Sequence, residues 1–450
     1  MEQPRILKEH AGEEDFYQLL DAVSSFTYVV ALWSHTPPSA QETTAFPLHY
    51  FEHDGWIAAS NSPLASGGHT GSLSDLRNAI SHTHNKNHLF GFFSYDLKNE
   101  LEELHSTGTD PFSFPSYYFF EPELLLRFQD GRIECLNISH EWFEYLMNAM
   151  HAADSDRIIP FTENGTHFAA PTNSGEKIGF VPVVSRAEYE KNVQIIRQQI
   201  AEGNVYELNY CSEWQAQSVQ LSPIETWKSM NQRTQAPFSA YVRMDHHYLM
   251  SASPERFMCK HGKQVCSQPI KGTASRNTDP NLDAKNAALL SMNKKERAEN
   301  LMIVDLVRND LSRSCMPGSV IVPELCSVFT LKTVHQMYST ICGELRPQTH
   351  PLDALLASFP MGSMTGAPKI SAMKLIDKLE TFKRGLFSGS VGYFTPQGDF
   401  DFNVVIRSML YRSDTKQAVV RAGSAITYDS DAEQEWDECL MKAKAIMNRD

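Results

Sequence analysis

The chain has 450 residues, of which 42% are hydrophobic and 21% are charged, a composition typical of folded proteins and unlike that of disordered or fibrous chains. Forty Lys and Arg residues against 54 Asp and Glu residues leave a net charge of −14, which is unsuited to holding a phosphate backbone, so we expect no nucleic-acid partner. At roughly 150 residues per domain the length allows about three domains, and composition leaves their number open.

The eight cysteines are scattered along the sequence, with no CxxC pair and no Cys and His spacing typical of zinc sites. We expect reduced thiols, as in intracellular proteins. The N-terminal residues lack the apolar core of a signal peptide, and no stretch approaches the roughly 18 apolar residues that span a bilayer. The sequence therefore predicts a cytoplasmic protein without a membrane partner.

Residues 1–151 form the first of two predicted regions. Short β-type runs lie at 28–33 and 88–95, and a helical pattern at 142–150 ends the region. Between 152 and 176 the composition shifts to Ser, Asn, Thr, Gly and Pro without periodicity. Such a stretch is typical of a linker or loop, so we divide the chain there.

Residues 177–450 form the second region, in which runs of strands are interrupted by runs of helices. Strands are predicted at 205–214, 239–244, 248–253, 255–260, 264–269, 389–394, 401–411 and 417–422, and helices at 185–202, 283–311, 351–356, 368–379 and 431–447. Because the strands come in blocks and do not alternate strictly with helices, the pattern favours an α+β fold over a doubly wound α/β sheet.

A candidate nucleophile lies in the segment Pro-Ile-Lys-Gly-Thr at 269–273, at the end of an apolar strand. Gly272 would let a ligand approach the backbone closely. Burial would lower the pKa of the Lys271 amine and free its lone pair for nucleophilic attack. The alternative is a solvated lysine at a strand end, which is the commoner situation for this residue type.

Two acidic clusters have helical spacing. Glu296 and Glu299 stand three residues apart at the start of a helix and could hold a hard cation, although an asparagine three residues before Glu296 also matches a capping box. Glu435, Glu438 and Lys442 share a helix face opposite an apolar stripe, which by itself indicates an exposed, salt-bridged surface. Spacing alone favours the structural explanation for both clusters.

Three further features could contact an anionic substrate. The loop Gly-Ser-Met-Thr-Gly-Ala-Pro-Lys at 362–369 enters a helix and leaves backbone N–H groups free at its positive end. Arg407, predicted on a strand, could clamp a carboxylate, and His335 could donate a proton. A helix cap and satisfied structural side chains are the alternatives.

Taken in order, these segments resemble the chorismate-utilising enzyme family, which includes anthranilate, aminodeoxychorismate, isochorismate and salicylate synthases. The resemblance is dense over residues 180–450 and loose before them, where it is carried chiefly by 90–96. Its segments are Ser-Pro-Glu-Arg-Phe at 253–257, Pro-Ile-Lys-Gly-Thr at 269–273, the stretch 297–311, the loop 362–369, Gly-Tyr-Phe at 392–394 and the stretch 435–442.

The resemblance implies an α+β fold like that of anthranilate synthase component I, with two antiparallel β-sheets in a sandwich flanked by helices. The N-terminal region would contribute to the same sandwich, and the active site would lie in the cleft. Glu299 and Glu438 would hold Mg²⁺, with Glu296 and Glu435 nearby or acting through water. Mg²⁺ keeps several waters and binds few carboxylates, which suits a site that the substrate completes.

The resemblance also implies contacts to chorismate. The implied substrate-binding positions are Gly272, Thr273, Ser363, Phe387, Arg407, Ala425 and Lys442, and His335 is implied to lie near the reacting ring. Phe387 stands where relatives carry Tyr or Trp, which keeps an apolar wall and loses a polar tip. Ala425 stands where relatives carry Gly, so a β-carbon is added on the substrate side.

Lys271 decides the branch of the family. The pentapeptide at 269–273 resembles that of aminodeoxychorismate synthases, which carry lysine at the position of Lys271. In anthranilate synthases the similar pentapeptide carries a small residue at that position. The resemblance implies that Lys271 adds to ring carbon two as the carbon-four hydroxyl leaves, and that ammonia then adds at carbon four and expels the lysine. Glu255 is implied to assist proton transfer. Anthranilate synthase chemistry and a non-catalytic chorismate-binding subunit are the alternatives.

A partner subunit is implied as well. Ammonia is mostly protonated near neutral pH, and relatives obtain it from a glutamine amidotransferase. No cysteine of this chain stands in a glycine-flanked nucleophile elbow. We therefore expect a separate glutaminase subunit that supplies ammonia, and a product on the route to 4-aminobenzoate and folate.

Overall fold

The computed structural model describes residues 5–35, 54–61, 73–82, 87–151 and 178–447. Within these ranges the strands are β1 (Arg5–Glu9), β2 (Tyr28–Trp33), β3 (Gly55–Ser60), β4 (Leu89–Phe93), β5 (Tyr117–Phe120), β6 (Leu124–Gln129), β7 (Arg132–Asn137), β8 (Val181–Pro182), β9 (Glu207–Ala216), β10 (Phe238–Met244), β11 (His247–Ser253), β12 (Arg256–His261), β13 (Gln264–Gln268), β14 (Ile270–Ser275), β15 (Ile321–Thr330), β16 (Val334–Glu344), β17 (Gly366–Ala367), β18 (Ser390–Phe394), β19 (Phe400–Asn403), β20 (Ser408–Arg412) and β21 (Gln417–Ile426). The α-helices are α1 (Glu13–Ala22), α2 (Leu73–His82), α3 (Lys98–Leu101), α4 (His140–His151), α5 (Arg186–Ala201), α6 (Pro223–Thr234), α7 (Pro280–Met292), α8 (Lys294–Ser312), α9 (Pro351–Leu356), α10 (Lys369–Leu379) and α11 (Ala432–Met447). The predicted linker at 152–176 lies outside the described residues, so the division of the chain there stays a prediction.

These strands form two sheets. The larger sheet has the order β1-β7-β6-β3-β2-β10-β11-β20-β21-β9-β17, with β8 beside β9, and the smaller has the order β14-β16-β13-β12-β19-β18-β4-β5, with β15 beside β16. Every pairing between these strands is antiparallel. Both sheets combine strands from before and after residue 152. The predicted α+β fold of two antiparallel sheets with flanking helices is confirmed.

Alternating side chains let the larger sheet bury both of its faces. On β2, Val29 and Ala31 join the core cluster that contains the helices, whereas Val30 and Leu32 join the cluster between the sheets. That second cluster also takes residues from β3, β10 and β11 and aromatic residues from β4, β5 and β18. Burying one such aliphatic or aromatic side chain contributes about 1.5–3 kcal/mol, so this layer fixes how the two sheets pack.

The helices cover the outer faces of the sandwich. Helices α1, α4, α5, α6, α10 and α11 pack on the larger sheet, and α2, α8 and α9 pack on the smaller one. Helix α8, which packs on the smaller sheet, carries one of the two acidic clusters, and helix α11, which packs on the larger sheet, carries the other. In the part of the chain that the structure describes, no helix has both the length and the apolar character needed to cross a membrane.

Most predicted elements of the second region are confirmed to within two residues, and two of them are divided. The predicted helix at 283–311 is the pair α7 and α8, because Asn293 has extended backbone angles, with φ −66° and ψ 115°, and caps α8. The predicted strand at 401–411 is the pair β19 and β20. Helix α6 and strands β15 and β16 are not among the predicted elements.

The expectation of eight reduced thiols is wrong for one pair. Cys266 on β13 and Cys342 on β16 are register neighbours in the smaller sheet and form a disulfide, with Cα atoms 4.2 Å apart. Cys259 lies across from Cys266 on the other side and keeps a buried free thiol. Sequence spacing could not reveal the pair because 76 residues separate the two cysteines.

Candidate active site

Lys271 lies at the second position of β14, and its side chain is 12% exposed. Pro269 has no N–H donor and separates β13 from β14, and both of these strands pair with β16. Lys271 Nζ lies 3.0 Å from Glu207 Oε1 on β9. Burial lowers the pKa of Lys271, but the carboxylates of Glu207, Glu299 and Glu255 outweigh it, so the pKa is raised. Lys271 is therefore a buried, ion-paired lysine, and the lowered pKa expected from burial is wrong for the free chain.

Glu207 is the residue of this site that sequence reasoning missed. It is 1% exposed and begins β9, a strand whose residues are nearly all buried. Lys271 contacts one of its carboxylate oxygens, and the other, Oε2, is buried without a hydrogen-bond partner among the described residues. A signal was present in the sequence, because an acid inside an otherwise buried strand requires a compensating partner.

Glu255 and Ser363 form a second polar contact beside Lys271. Glu255 is 4% exposed, and its Oε1 accepts a hydrogen bond of 2.6 Å from Ser363 Oγ. Burial raises the pKa of Glu255 to about 7, while Ser363 and Lys271 act to lower it. A carboxyl group balanced near neutral pH can both give and accept a proton.

The loop at 362–369 places Ser363 by a short 3₁₀ turn, Gly362–Met364, and not by a helix end. Pro368 is the N-cap of α10, so the loop enters a helix as predicted. Lys369 donates to Asp310 Oδ2 at 2.6 Å and to the backbone oxygen of Ser358 at 2.9 Å. The loop therefore contributes a side-chain hydroxyl to the site, and its lysine serves the scaffold.

Two glutamates of α8 face the same region. The side chain of Glu299 is 13% exposed, and burial raises its pKa to about 7, with Lys271 acting against the rise and Glu207 and Glu296 adding to it. Burial also raises the pKa of Glu296, and Glu438 on α11 adds to that rise. A β-carbon on Gly272 would lie 3.0 Å from Glu296 Oε2, so glycine is required for this close approach, and its φ of 103° requires it as well.

The predicted capping box at α8 is half present. The side chain of Asn293 accepts hydrogen bonds from the backbone N–H groups of Lys295 and Glu296, as a cap does. The carboxylate of Glu296 instead lies against Gly272. Capping therefore explains the asparagine and leaves the glutamate for another role.

Helix α11 presents the second acidic cluster. Lys442 Nζ lies 2.5 Å from Glu438 Oε1 and donates to the backbone oxygen of Gly423 at 3.0 Å. Burial tends to raise the pKa of Glu438, but Lys442 outweighs it and the pKa is lowered. The Glu438 side chain is 47% exposed, whereas Glu435 is buried. The predicted exposed salt-bridged surface thus describes Glu438 and fails for Glu435.

Arg407 supplies a free cation to this region. It lies in the turn between β19 and β20 with a left-handed φ of 51°, so its predicted place on a strand is wrong. Among the described residues its guanidinium has no hydrogen-bond or ion-pair partner. Burial lowers its pKa and Glu438 acts against that change, but an arginine stays protonated. A partly exposed guanidinium without a protein partner among the described residues is suited to an anionic ligand.

Comparison with known proteins assigns the chain to a family. Residues 41–448 match the model of the family described as chorismate binding enzyme. The chain belongs to the chorismate-binding enzyme family. It is 34% identical to aminodeoxychorismate synthase component 1 of Salmonella typhimurium over 360 residues, 80% of this chain and 75% of that protein. It is 37% identical to the chloroplastic aminodeoxychorismate synthase of Arabidopsis thaliana over 72% of this chain.

The chain spans about a third of that plant relative's length, 35%. Among solved structures, anthranilate synthase component I from Streptococcus pneumoniae superposes with a TM-score of 0.68 and 26% identity, covering 93% of this chain and 92% of that one. The menaquinone-specific isochorismate synthase of Escherichia coli superposes with a TM-score of 0.72 at 16% identity, covering 99% and 94%. The second likeness concerns the fold.

Other predicted site residues of this chain vary in their exposure. Thr273 is exposed and Ala425 is partly exposed, on β14 and β21. Phe387 is 2% exposed and belongs to the core cluster of the smaller sheet. These observations leave the predicted substrate contacts of the three residues as predictions.

His335 lies apart from the polar contacts around Lys271. It is on β16 opposite Ala274, and its Nε2 lies 2.9 Å from Asp283 Oδ1. Its Nδ1 lies 2.9 Å from Thr330 Oγ1, so both ring nitrogens have protein partners. Its predicted role near the reacting ring stays a prediction.

Proposed function

We propose that this chain is an aminodeoxychorismate synthase component I, which converts chorismate and ammonia to 4-amino-4-deoxychorismate. The observation that carries the proposal is Lys271, a buried amine with a single ion-pair partner, Glu207, among the described residues. Its remaining N–H positions are available to a substrate. The names of the Salmonella and Arabidopsis relatives support the same activity.

The first half-reaction uses the Lys271 amine as the nucleophile. Its lone pair forms a bond to ring carbon two, the ring double bonds shift, and the carbon–oxygen bond at carbon four breaks. Glu255 gives a proton to the departing hydroxyl, which leaves as water, and takes the proton that Lys271 loses. A pKa of about 7 suits Glu255 to both transfers.

Substrate carboxylates need cationic partners in this acidic cleft. Arg407 has no protein partner among the described residues, and Lys442 has only the half-exposed Glu438 and a backbone oxygen. We assign these two side chains to the carboxylates of chorismate. Ser363 then orients Glu255 through their 2.6 Å hydrogen bond.

The acids on α8 and α11 fit Mg²⁺. Burial raises the pKa values of the partly exposed Glu296 and Glu299 and neighbouring carboxylates add to the rise, so a bound cation would stabilise their ionised forms, and carboxylate oxygens are the ligands that Mg²⁺ prefers. No three His, Cys, Asp or Glu side chains in the described ranges are grouped closely enough to hold a metal ion by themselves. We propose Glu299 and Glu438 as ligands, with Glu296 and Glu435 nearby. Bound Mg²⁺ would supply positive charge where the carbon-four oxygen departs.

We propose a glutamine amidotransferase as the partner subunit. The Salmonella relative is named a component 1, which supports a second component. The free cysteines of the described residues are all buried, and burial raises the pKa of Cys211, Cys259 and Cys439, which opposes a nucleophilic thiolate. A separate subunit would therefore release ammonia from glutamine.

Purified chain incubated with chorismate, MgCl₂ and ammonium chloride tests the function. We expect aminodeoxychorismate, detected by chromatography, and no pyruvate until an added lyase converts it to 4-aminobenzoate. Release of pyruvate with anthranilate would identify anthranilate synthase component I instead. No amino product of either kind would leave the chain as a non-catalytic chorismate-binding subunit and overturn the proposal.

A further inference from the structure

The carboxylate of Glu207 has one oxygen that Lys271 does not use. Glu207 is 1% exposed, and while Oε1 lies 3.0 Å from Lys271 Nζ, Oε2 has no hydrogen-bond partner among the described residues. Leaving a buried acceptor without a donor is unfavourable, and more so when the acceptor is charged. This oxygen therefore calls for an N–H or O–H group from outside the described protein.

Among the described residues, Asp96 Oδ1 and Asp310 Oδ1 are the other buried carboxylate oxygens without a hydrogen-bond partner, and neither lies at Lys271. Glu213 and Glu380 each have both oxygens bonded by protein donors. Asp310 also leaves one oxygen without a partner, but Asp310 and Ser358 line a cavity of about 10 Å³, which is room for roughly one water. Glu207 instead lies at the ion pair of the proposed nucleophile.

The charge around Lys271 is unbalanced. Glu207 on β9, Glu299 on α8 and Glu255 before β12 all act on the Lys271 amine. Lys295 Nζ lies 3.9 Å from Glu299 Oε1, so three carboxylates face two ammonium groups, and the excess of one negative charge disappears when Glu255 holds its proton. A small cation with N–H donors would supply the donor that the unused Glu207 oxygen lacks.

We propose that Glu207 Oε2 binds ammonium, the nitrogen source, and that Glu207 passes a proton from this ammonium ion to the departing amine of Lys271. This inference rests on the proposed function, and it adds a site for the second substrate. Glu207 would thus be a catalytic residue that touches the ammonium ion on one oxygen and the reacting lysine nitrogen on the other.

The second half-reaction then balances at Glu207. Ammonium gives a proton to Glu207, so an N–H bond breaks and an O–H bond forms. The ammonia so formed attacks ring carbon four, and the ring double bonds shift back. The bond between carbon two and the Lys271 nitrogen breaks, and its electron pair stays on the lysine nitrogen. Glu207 returns the proton to that amine, 3.0 Å away. The product carries an ammonium group at carbon four, and the starting ion pair is restored.

Glu207→Gln in the full chain separates the two half-reactions. Without ammonium, chorismate and MgCl₂ should still give the covalent Lys271 adduct in the variant, measured by intact-protein mass spectrometry. With saturating chorismate, the apparent KM for ammonium chloride should rise at least about tenfold.

The pH dependence gives a second readout. The variant must draw on free ammonia, so its rate at fixed total ammonium should rise about tenfold per pH unit below the pKa of ammonium, and the wild type should rise less steeply. The other ionisable groups that face Lys271, which are Glu255, Glu296, Glu299 and Glu438, are the same in both proteins. A difference between the two profiles therefore reports on Glu207.

Two further variants keep the test decisive. Glu213→Gln removes another buried acid of β9, and it should leave the KM for ammonium unchanged. Glu207→Asp keeps a carboxylate and should recover part of the ammonium affinity and the shallower pH profile. If Glu207→Gln does not fold, as judged by circular dichroism, the ammonium KM of the Asp variant carries the comparison, with an increase expected.

Several outcomes overturn the inference. An unchanged ammonium KM and pH profile would mean that water satisfies Oε2. Loss of adduct formation in Glu207→Gln would mean that Glu207 serves Lys271 alone, and a changed Mg²⁺ requirement would assign the oxygen to the metal. A wild-type chain that forms neither adduct nor amino product would overturn the proposed function, and this site with it.

Discussion

Two lysines of the chain are buried to nearly the same extent and behave differently. The side chains of Lys271 and Lys369 are 12% and 11% exposed, and each lies within 3.0 Å of a buried carboxylate, Glu207 and Asp310 respectively. Yet the pKa of Lys271 is raised, whereas burial lowers the pKa of Lys369 despite its acid. Burial alone therefore does not set the state of a buried amine.

The two lysines differ in how many carboxylates act on the amine and in how many of its N–H donors are already hydrogen-bonded. Lys369 gives one hydrogen bond to Asp310 and another to the backbone oxygen of Ser358, and this joins α8 to the segment before the loop at 362–369. Lys271 has one close partner and two further carboxylates acting on it. A lysine whose N–H donors bond to other elements of the fold is structural. A lysine that keeps N–H donors unbonded beside several carboxylates can contact a substrate.

Replacing Lys271 gives the largest expected effect. Lys271→Met removes the nucleophile, so aminodeoxychorismate formation should fall by about four orders of magnitude, as the loss of a covalent catalyst does. Chromatographic product assays measure this loss, and anthranilate-type product could emerge in its place. Activity within tenfold of the wild type would refute the covalent role and remove the distinction between the two lysines.

Replacing Lys369 should act on stability instead. Lys369→Met leaves Asp310 buried without its cation, and breaking such a pair costs about 3–5 kcal/mol of the free energy of unfolding. Urea denaturation followed by circular dichroism measures the cost. The adduct-forming step, assayed on folded protein, should change far less than in Lys271→Met. The reverse pattern, a stable but inactive variant, would contradict the division into a structural and a chemical lysine.

Hydrophobic period and chain order could predict the α+β class and the existence of helices α8 and α11, whereas the metal role of their acids came from the family resemblance and stays a prediction. Helices α8 and α11 carry Glu299 and Glu438 where spacing placed them. The capping box before Glu296 indicated the break at Asn293, whereas the continuous periodic pattern predicted one helix over 283–311, because an asparagine can cap one helix while ending another. Burial of an acid depends on the strand beside it, so the partner of Lys271 was not readable from the pentapeptide.

The same limit explains the residues around Arg407. A continuous apolar pattern predicts one strand over 401–411, but a left-handed residue at Arg407 turns the chain and frees its guanidinium. The Cys266–Cys342 pair likewise depends on strand register, which brings together residues that are distant in sequence. Local pattern predicts elements, and contacts between distant elements decide which of their side chains form a site.

Removing a proposed metal ligand tests whether the excess acid serves Mg²⁺. Glu299→Gln and Glu438→Gln should each lower turnover by about a hundredfold and raise the Mg²⁺ concentration needed for half-maximal rate, because charge at the departing hydroxyl is lost. Asp305→Asn, an exposed acid of α8, is the matched control and should leave both values unchanged. Unaltered Mg²⁺ titrations in the Glu variants would return these acids to a structural role.

The acidic side chains around Lys271 should also affect how the free energy of unfolding depends on pH. Folding raises the pKa of Glu299 to about 7, so the folded state binds its proton more tightly and the free energy of unfolding should fall as pH rises from about 4.5 to 7. Mg²⁺ binds the ionised form, so 10 mM-scale MgCl₂ should reduce this fall by about 1–2 kcal/mol. Urea melts across this pH range measure it. If the fall in the free energy of unfolding were identical with and without Mg²⁺, Glu299 would not be a ligand of the metal ion.

The smallest expected effect concerns Ser363, which adjusts the acid beside Lys271. Its hydroxyl donates to Glu255 and lowers a pKa that burial has raised to about 7. Ser363→Ala removes that donor, so the pKa of Glu255 should rise by about half a unit to one unit. Because protonated Glu255 is the proposed proton donor, the rate of adduct formation should fall as pH rises through this pKa, and the variant should keep its rate to higher pH. Thr365→Val, whose hydroxyl bonds only to backbone oxygens of the same loop, should leave the midpoint in place. A midpoint that stays fixed or moves down in Ser363→Ala would show that Glu255 does not supply the proton, and the chemistry at Lys271 would then need a different acid.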